Sequence, residues 1–192
     1  MIESSWLSPL IKKHKTSLCF ILPVCAVLVV VWCFQLSYFT GASNLALGKY
    51  ATQSSIFGPA NAARAVDGTT DGDYNAGSVA HTLLNKNAWW EVDLGASAQI
   101  AAVVVWNRTD CCMDRLKNYW VFLSDTPFAP TDTPDALKGK PGVWSHFESD
   151  FPNPSTKIDA GGAHGRYVRV QLAGEDWLSL AEVQVIGAPA AK

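Results

Sequence analysis

The chain has little of what marks a nucleic-acid binder, a zinc protein or a helical repeat. Of its five cysteines, Cys19, Cys25 and Cys33 lie in one apolar run near the N-terminus, which leaves only Cys111 and Cys112 beyond it. A zinc site wants further Cys or His at loop spacing, and His81 aside only His146 and His164 are on offer in that part of the chain. Positive charge is also scarce. Beyond residue 42, setting aside Lys12, Lys13 and Lys15 leaves 12 Lys and Arg, and setting aside Glu3 leaves 16 Asp and Glu, a net charge of −4. A mildly acidic domain is a poor partner for nucleic acid or for an anionic membrane surface. After residue 42 no stretch keeps a helical period and no segment repeats, so bundles and solenoids are excluded as well.

What is present begins with a long hydrophobic run. Leu18 to Phe34 is unbroken, is followed by Gln35-Leu-Ser-Tyr-Phe39, and is preceded by Lys12, Lys13 and Lys15. As a helix it would be about 26 Å long, close to the hydrocarbon thickness of a bilayer. Two readings compete: a retained signal-anchor with the lysines on the cytoplasmic side, or a secretory signal peptide cut near Thr40-Gly-Ala42. The run exceeds the usual apolar region of a signal peptide, which favours the anchor, while Pro23 and the small residues before Ser43 favour cleavage. Either way the remainder is exported. The expected organisation is a short basic segment at 1–16, a transmembrane signal-anchor or signal peptide at 17–42, and one domain at 43–192.

From Asn44 onward the chain reads as β, with short runs of β-branched and aromatic residues set between Gly, Pro, Asn and Asp. Candidate strands are Trp89–Leu94, Ile100–Asn107, Tyr119–Ser124, Trp144–Glu148, Tyr167–Leu172 and Glu182–Ile186. Tyr167-Val-Arg-Val-Gln-Leu172 alternates cleanly, placing Arg169 and Gln171 on the face opposite the apolar one. That pattern predicts antiparallel strands with one dry face, hence two sheets packed as a sandwich. The loops are 57–66, 70–80 and the proline-rich 126–142. Trp89, Trp90, Trp106, Trp120, Trp144 and Trp177 sit mostly in strand runs and are expected in the core.

One constellation stands apart. His81 is followed, after 26 intervening residues, by Arg108-Thr-Asp110-Cys111-Cys112-Met-Asp-Arg115. Arginine offers several N–H donors in a rigid fork and no acceptor, so two of them converging with an imidazole suit a ligand rich in oxygen lone pairs, such as a sugar. The pattern His-x26-Arg-x-Asp-x4-Arg, with a Cys-Cys pair after the Asp, resembles the binding motif of the F-type lectins, the fucolectin family. The resemblance runs from Asn44 to Gly187 and includes Asn44-Leu-Ala-Leu-Gly-Lys49, Ala65-Val-Asp67-Gly, Trp90-Glu-Val-Asp-Leu-Gly95 and Ala181-Glu182-Val-Gln-Val185. These outer segments are shared more widely with discoidin-like (coagulation factor type C) domains. They speak for the fold, and the His/Arg/Asp/Cys-Cys set speaks for the sugar.

The resemblance implies an all-β jelly-roll β-sandwich, discoidin-like, preceded here by the one N-terminal apolar helix. It implies a pocket in which His81, Arg108 and Arg115 donate to the ring oxygen and the 3- and 4-hydroxyls of α-L-fucose. Asp110 would hold the Arg108 fork without touching the sugar, and Cys111 and Cys112 would be joined in a disulfide packed as an apolar plate against one sugar edge. Tyr74 is the candidate wall for the C6 methyl group, with Ile56 and Phe57 behind it. The family also carries a structural Ca²⁺, and the matching positions are Asp67 and Glu182 as carboxylate ligands, Ser78, Thr69, and the main-chain carbonyls of Arg64 and Ala181. Hard oxygen donors with two carboxylates suit Ca²⁺ better than a transition metal.

Each of these residues has a plainer interpretation. His81 alone would be a surface residue, and Arg108 with Asp110 would be an ion pair of small energy; the set spacing is what weighs against both. Asn107-Arg-Thr109 is a formal glycosylation sequon whose place beside Arg108 argues against its use. The leading expectation is a non-enzymatic lectin for fucosylated glycans, with oligomerisation or clustering on a membrane to supply avidity. The alternative is a discoidin-type adhesion module for membrane lipid or a protein, disfavoured by the acidic loop at Asp71 and Asp73 and by the few apolar residues expected at the loop tips. Glycoside hydrolysis needs a spare carboxylate pair, and the visible carboxylates are allotted to calcium, to Arg108 or to strand surfaces.

Overall fold

A computed structural model describes residues 43–188; the segments expected at 1–16 and 17–42 lie outside them. Among the described residues no helix is long and apolar enough to cross a membrane. The described strands are β1 (Tyr50–Gln53), β2 (Ala80–His81), β3 (Asn85–Lys86), β4 (Trp89–Asn107), β5 (Tyr119–Ser124), β6 (Val143–Glu148), β7 (Ser155–Leu172), β8 (Glu175–Asp176) and β9 (Ser179–Gly187). One four-residue helix, α1 (Pro134–Leu137), interrupts the 126–142 loop, capped by the Thr133 side chain.

The architecture turns on the two long strands. The sequence predicts separate strands at Trp89–Leu94 and Ile100–Asn107 because Gly95-Ala-Ser interrupts the apolar alternation; the structure carries one strand of 19 residues through the interruption. Its partner β7 has 18 residues where only its last third was expected. Their antiparallel register slips between Asp93 and Ala98 and again between Ile100 and Ala102. Gly95, at φ +88°, supplies the left-handed backbone conformation within the first slip. Before the slips β4 pairs with β1 and with the end of β7, which continues to β5 and β6; after them it pairs with β9 and with the start of β7. One hydrogen-bonded sheet thus supplies both layers of a sandwich.

The layers share one core. Trp90, Val92, Val121, Leu123, Val168 and Val170 come from one and Val103, Val105, Ile158, Val183 and Val185 from the other, all in a single buried cluster. The outer face of the first layer is not the wet face that alternation predicts. Arg169 is fully buried there and Gln171 nearly so, because the 126–142 loop folds over them and seats Phe128 and Leu137 against Phe122. Buried charge must be paired: Arg169 Nε donates to Glu91 Oε2 at 2.9 Å and Nη1 to the Ala129 carbonyl at 3.1 Å, with the guanidinium 4.4 Å from the Trp89 ring. Of the six tryptophans expected in the core only Trp90 is fully buried, its Nε1 donating to Ala62 O.

Candidate functional site

The motif residues converge from three segments. His81 lies on β2, the short strand added to β9 by the pairs Ala80↔Leu180 and His81↔Ser179. The loop ahead of it is tied down by Gln53, whose Nε2 donates to the carbonyls of Ser55, Ala60 and His81. Arg108, Asp110 and the two cysteines follow the end of β4. Arg115 closes the 3₁₀ turn Met113–Arg115, which starts from Cys112 in the left-handed region at φ 57°.

His81 is buried, 3% exposed, and its Nδ1 lies 2.6 Å from the Thr82 carbonyl. A carbonyl only accepts, so Nδ1 carries the proton. Burial lowers the imidazole pKa from its ordinary value; the Thr82 carbonyl opposes this, the charges of Arg108 and Arg115 add to the lowering, and Asp110 opposes it. The ring is therefore neutral at pH 7, and Nε2 offers a lone pair to the site. The sequence reading has His81 donating to a sugar; this tautomer makes it an acceptor instead.

Arg108 is clamped. Its Nε donates to Asp110 Oδ1 at 2.7 Å and its Nη2 to Oδ2 at 2.8 Å, the bidentate geometry that leaves the remaining N–H groups aimed elsewhere. Asp110 Oδ1 also accepts from the Tyr74 amide at 3.1 Å, and the hydrogen bond from Arg108 is the main reason its carboxyl is held down at about 2. The Tyr74 ring lies 4.6 Å from the Arg108 guanidinium, 5.7 Å from His81 edge-on, and 6.3 Å from Phe57, which is itself 5.1 Å from His81. Tyr74, Phe57 and His81 thus form an aromatic corner beside the cationic fork; Ile56 stands next to it in the chain, half exposed to solvent. Cys111 and Cys112 are joined in a disulfide, and the Cys112 carbonyl accepts from Arg115 N.

Three contributors escaped the sequence reading. Trp177, grouped there with the core, has its ring 4.4 Å from the Arg115 guanidinium and holds that side chain by cation–π contact. Thr82 sets the His81 tautomer through a main-chain oxygen, which has no signature in the sequence. Gly72 sits so close to Thr109 and to the Asn107 carbonyl that an added Cβ would lie 2.6 and 2.7 Å from them, and this approach seats the Tyr74 loop on the Arg108 segment. Asn107 is buried, with both amide hydrogens donated to the carbonyls of Met113 and Pro152 at 3.0 Å, so the sequon is closed in the folded protein.

Of the residues that the resemblance matches to calcium, Arg64, Asp67, Thr69 and Ser78 precede β2 in the chain, and Ala181 and Glu182 lie on β9. Glu182, on β9, is fully buried and neither of its carboxylate oxygens has a hydrogen-bond partner. Burial first, and then the charge of Asp67, raise its pKa to about 7; the Gly68 and Asp67 amides and the Asn44 side chain oppose the rise from nearby without closing a hydrogen bond of ordinary geometry. Asp67 caps the end of the 3₁₀ turn Ala62–Val66, which carries Arg64, and accepts from Thr69 N at 2.8 Å. Extending the β2–β9 register by two residues sets Ser78 opposite Glu182, although its hydroxyl is already turned to the Asp71 carbonyl. Ala181 is buried beside Glu182. An orphaned buried carboxylate that feels the charge of a second one fits a hard cation. Among the described residues no three His, Cys, Asp or Glu side chains cluster, so the other donors would be carbonyl and hydroxyl oxygens.

The geometry defines a β-sandwich whose loops gather an imidazole, two guanidinium groups and an aromatic corner. The family model for the F5/8 type C domain of the NedA-like, galactose-binding kind matches residues 64–170. Fucolectin-1 of Anguilla japonica is 31% identical over 147 residues, covering 74% of this chain and 79% of that protein. Among solved structures, a Streptococcus pneumoniae fucose binding module, SpX-3, superposes with a TM-score of 0.67 at 32% identity, covering 77% of this chain and 99% of that one. The lectin domain of lectinolysin complexed with Lewis B antigen superposes at 0.66 with 35% identity, covering 77% and 98%. The chain belongs to the F5/8 type C family, and within it to the fucolectins, the F-type lectins.

Proposed function

We propose that this protein binds α-L-fucose at the non-reducing ends of glycans through His81, Arg108 and Arg115, without catalysis. The observation that carries the proposal is the pre-set polarity of the pocket: two guanidinium groups held by Asp110 and Trp177, and one imidazole lone pair held by Thr82. A sugar hydroxyl can donate to His81 Nε2 while accepting from an arginine, so one hydroxyl satisfies both kinds of group. Charged donors that are already ordered lose little entropy on binding. The corner of Tyr74 and Phe57 would take the C6 methyl group, and the Cys111–Cys112 disulfide would cover another edge of the ring. The likeness to a fucose binding module of known structure supports this reading.

Calcium at Asp67 and Glu182, with Ser78, Thr69 and the carbonyls of Arg64 and Ala181, belongs to the same proposal. When bound it would neutralise the buried Glu182 carboxylate and tie the segment leading to His81 to β9. The N-terminal run Leu18–Phe34 supports an exported domain, tethered by that segment or secreted after its removal. Clustering or self-association would supply avidity.

One observation favours a second reading. Leu83 and Leu84 are 46% and 45% exposed directly after the site strand, and Ile56 and Phe57 are exposed as well. The sequence reading expects few such residues at the loop tips, and their exposure gives the adhesion-module reading some footing. A glycan array run with and without chelator, beside a liposome-binding assay, tests the two. Selective capture of fucosylated glycans, weakened by chelator, supports the lectin; liposome binding with no glycan signal supports the alternative.

A further inference from the structure

The outer face of the first layer carries a row of side chains unused by the His81 pocket. Trp89 and Trp120 are both register partners of Gln171, on either side of β7. Directly paired residues share a sheet face, so the two tryptophans flank Gln171 at a separation of about 10 Å, two strand spacings. Neither is fully buried. Two clefts open over this row, one of about 350 Å³ lined by Trp89 and Gln171 and one of about 480 Å³ lined by Trp120. They share Lys86, Asn87 and Thr133, and so run on into a single groove.

The groove is built rather than incidental. The 126–142 loop is long for a compact domain, and loops of such length usually carry function; Phe128 and Leu137 seat it on the sheet, and its residues 130–135 form the groove wall. Trp89 is fixed by its Nε1 bond to Pro130 O and by Arg169 on its ring. Trp120 is stacked on Phe122 at 5.6 Å with an interplanar angle of 5°. In the floor, Gln171 is 1% exposed; its Nε2 donates to the carbonyls of Asn87 and Asp132, which leaves Oε1 as a buried acceptor with no donor.

We propose that this groove is a second carbohydrate site, separate from the His81 pocket, that takes a neutral β-linked disaccharide unit. Tryptophan faces suit the C–H faces of pyranose rings, and β-linked rings form an extended ribbon that can lie along two aromatic rings in one row. The rim carries Lys86 and Lys138 against Asp132 and Asp135, with Lys138 paired to Asp135 at 2.6 Å, so it selects neither polyanion nor polycation. Side-chain amide and hydroxyl groups at Asn87 and Thr133 along the groove match ligand hydroxyls in both donor and acceptor roles.

The test is titration of the full chain, isotope-labelled on tryptophan, with lactose and with cellobiose at millimolar concentration, reading the indole N–H signals. The expected result is a saturable shift of the Trp89 and Trp120 signals by at least one disaccharide, unchanged by excess L-fucose. Trp120→Ala should abolish that shift while keeping whatever L-fucose response the parent shows. If that variant does not fold, the wild-type titration with fucose competition decides alone. Absence of a shift with both disaccharides, or a shift that L-fucose reverses, overturns the second site. Because the readout sits on Trp89 and Trp120, failure here leaves the His81 pocket standing, and failure of that pocket leaves the groove standing.

Discussion

Asp110→Asn tests whether the proposed fucose pocket works by pre-ordering its arginine. In the parent, Asp110 accepts two charge-assisted hydrogen bonds from Arg108, at 2.7 and 2.8 Å, and one from the Tyr74 amide. Asparagine keeps a single acceptor oxygen and turns an NH₂ group toward the guanidinium, so the fork loses one bond and its counter-charge. The freed arginine must be ordered again when sugar binds, at a cost of up to about 2 kcal/mol in rotamer entropy. At about 1.4 kcal/mol per decade, binding should weaken roughly 10- to 30-fold. Stability should fall by no more than about 1 kcal/mol, because the pair is partly open to water. Calorimetric titration with methyl α-L-fucoside beside a thermal melt reads both. The reasoning is refuted if Asp110→Asn binds as the parent does, or loses as much affinity as Arg108→Ala. The Asp110 carboxyl is held at about 2, so the stability it contributes is present above the ordinary carboxylate range and is lost only as pH falls toward that value.

Three further outcomes are expected. Fucose affinity should hold between pH 8 and 7 and fall only in a range below the ordinary histidine pKa of about 6.5, because His81 is lowered, accepts as the neutral form and becomes a donor when protonated; a rise in the dissociation constant centred at or above that value contradicts the neutral acceptor. Gly72→Ala should destabilise by about 1–3 kcal/mol and weaken sugar binding, since its Cβ would meet the Asn107 carbonyl at 2.7 Å; an unchanged melt would show that the loop gives way freely. Removing calcium should lower the melting temperature, by the equivalent of about 3–4 kcal/mol if the ion is supplied at 100 to 1,000 times its dissociation constant, and Glu182→Gln should melt alike in calcium and in EDTA; identical parent melts in the two buffers would mean that no ion sits at Glu182.

The pocket was legible because its chemistry lies in side-chain types at set spacing: His81, Arg108, Asp110, the Cys-Cys pair and Arg115 are brought together by the β2–β9 pairing and the turn after β4. What was not legible depends on distant contacts. Alternation around Arg169 and Gln171 is the same whether their face is wet or covered, and only the folding of 126–142 over them decides. Gly95-Ala-Ser breaks the apolar pattern as a turn would, yet here it bends a continuous strand. Trp177 has nothing local that separates a core residue from a platform under Arg115, and the donor role assigned to His81 changed on a main-chain oxygen.

The most direct test of the central claim is a titration of the full chain with methyl α-L-fucoside, run in parallel on Arg108→Ala and Arg115→Ala and on the parent with methyl α-L-galactoside, which carries a hydroxyl at C6. The account predicts saturable one-site binding of the fucoside by the parent, none detectable by either arginine variant at an unchanged melting temperature, and weaker binding of the galactoside because its extra hydroxyl would be set against the apolar ring surfaces of Tyr74 and Phe57. Fucoside binding that survives in either well-folded arginine variant would contradict it.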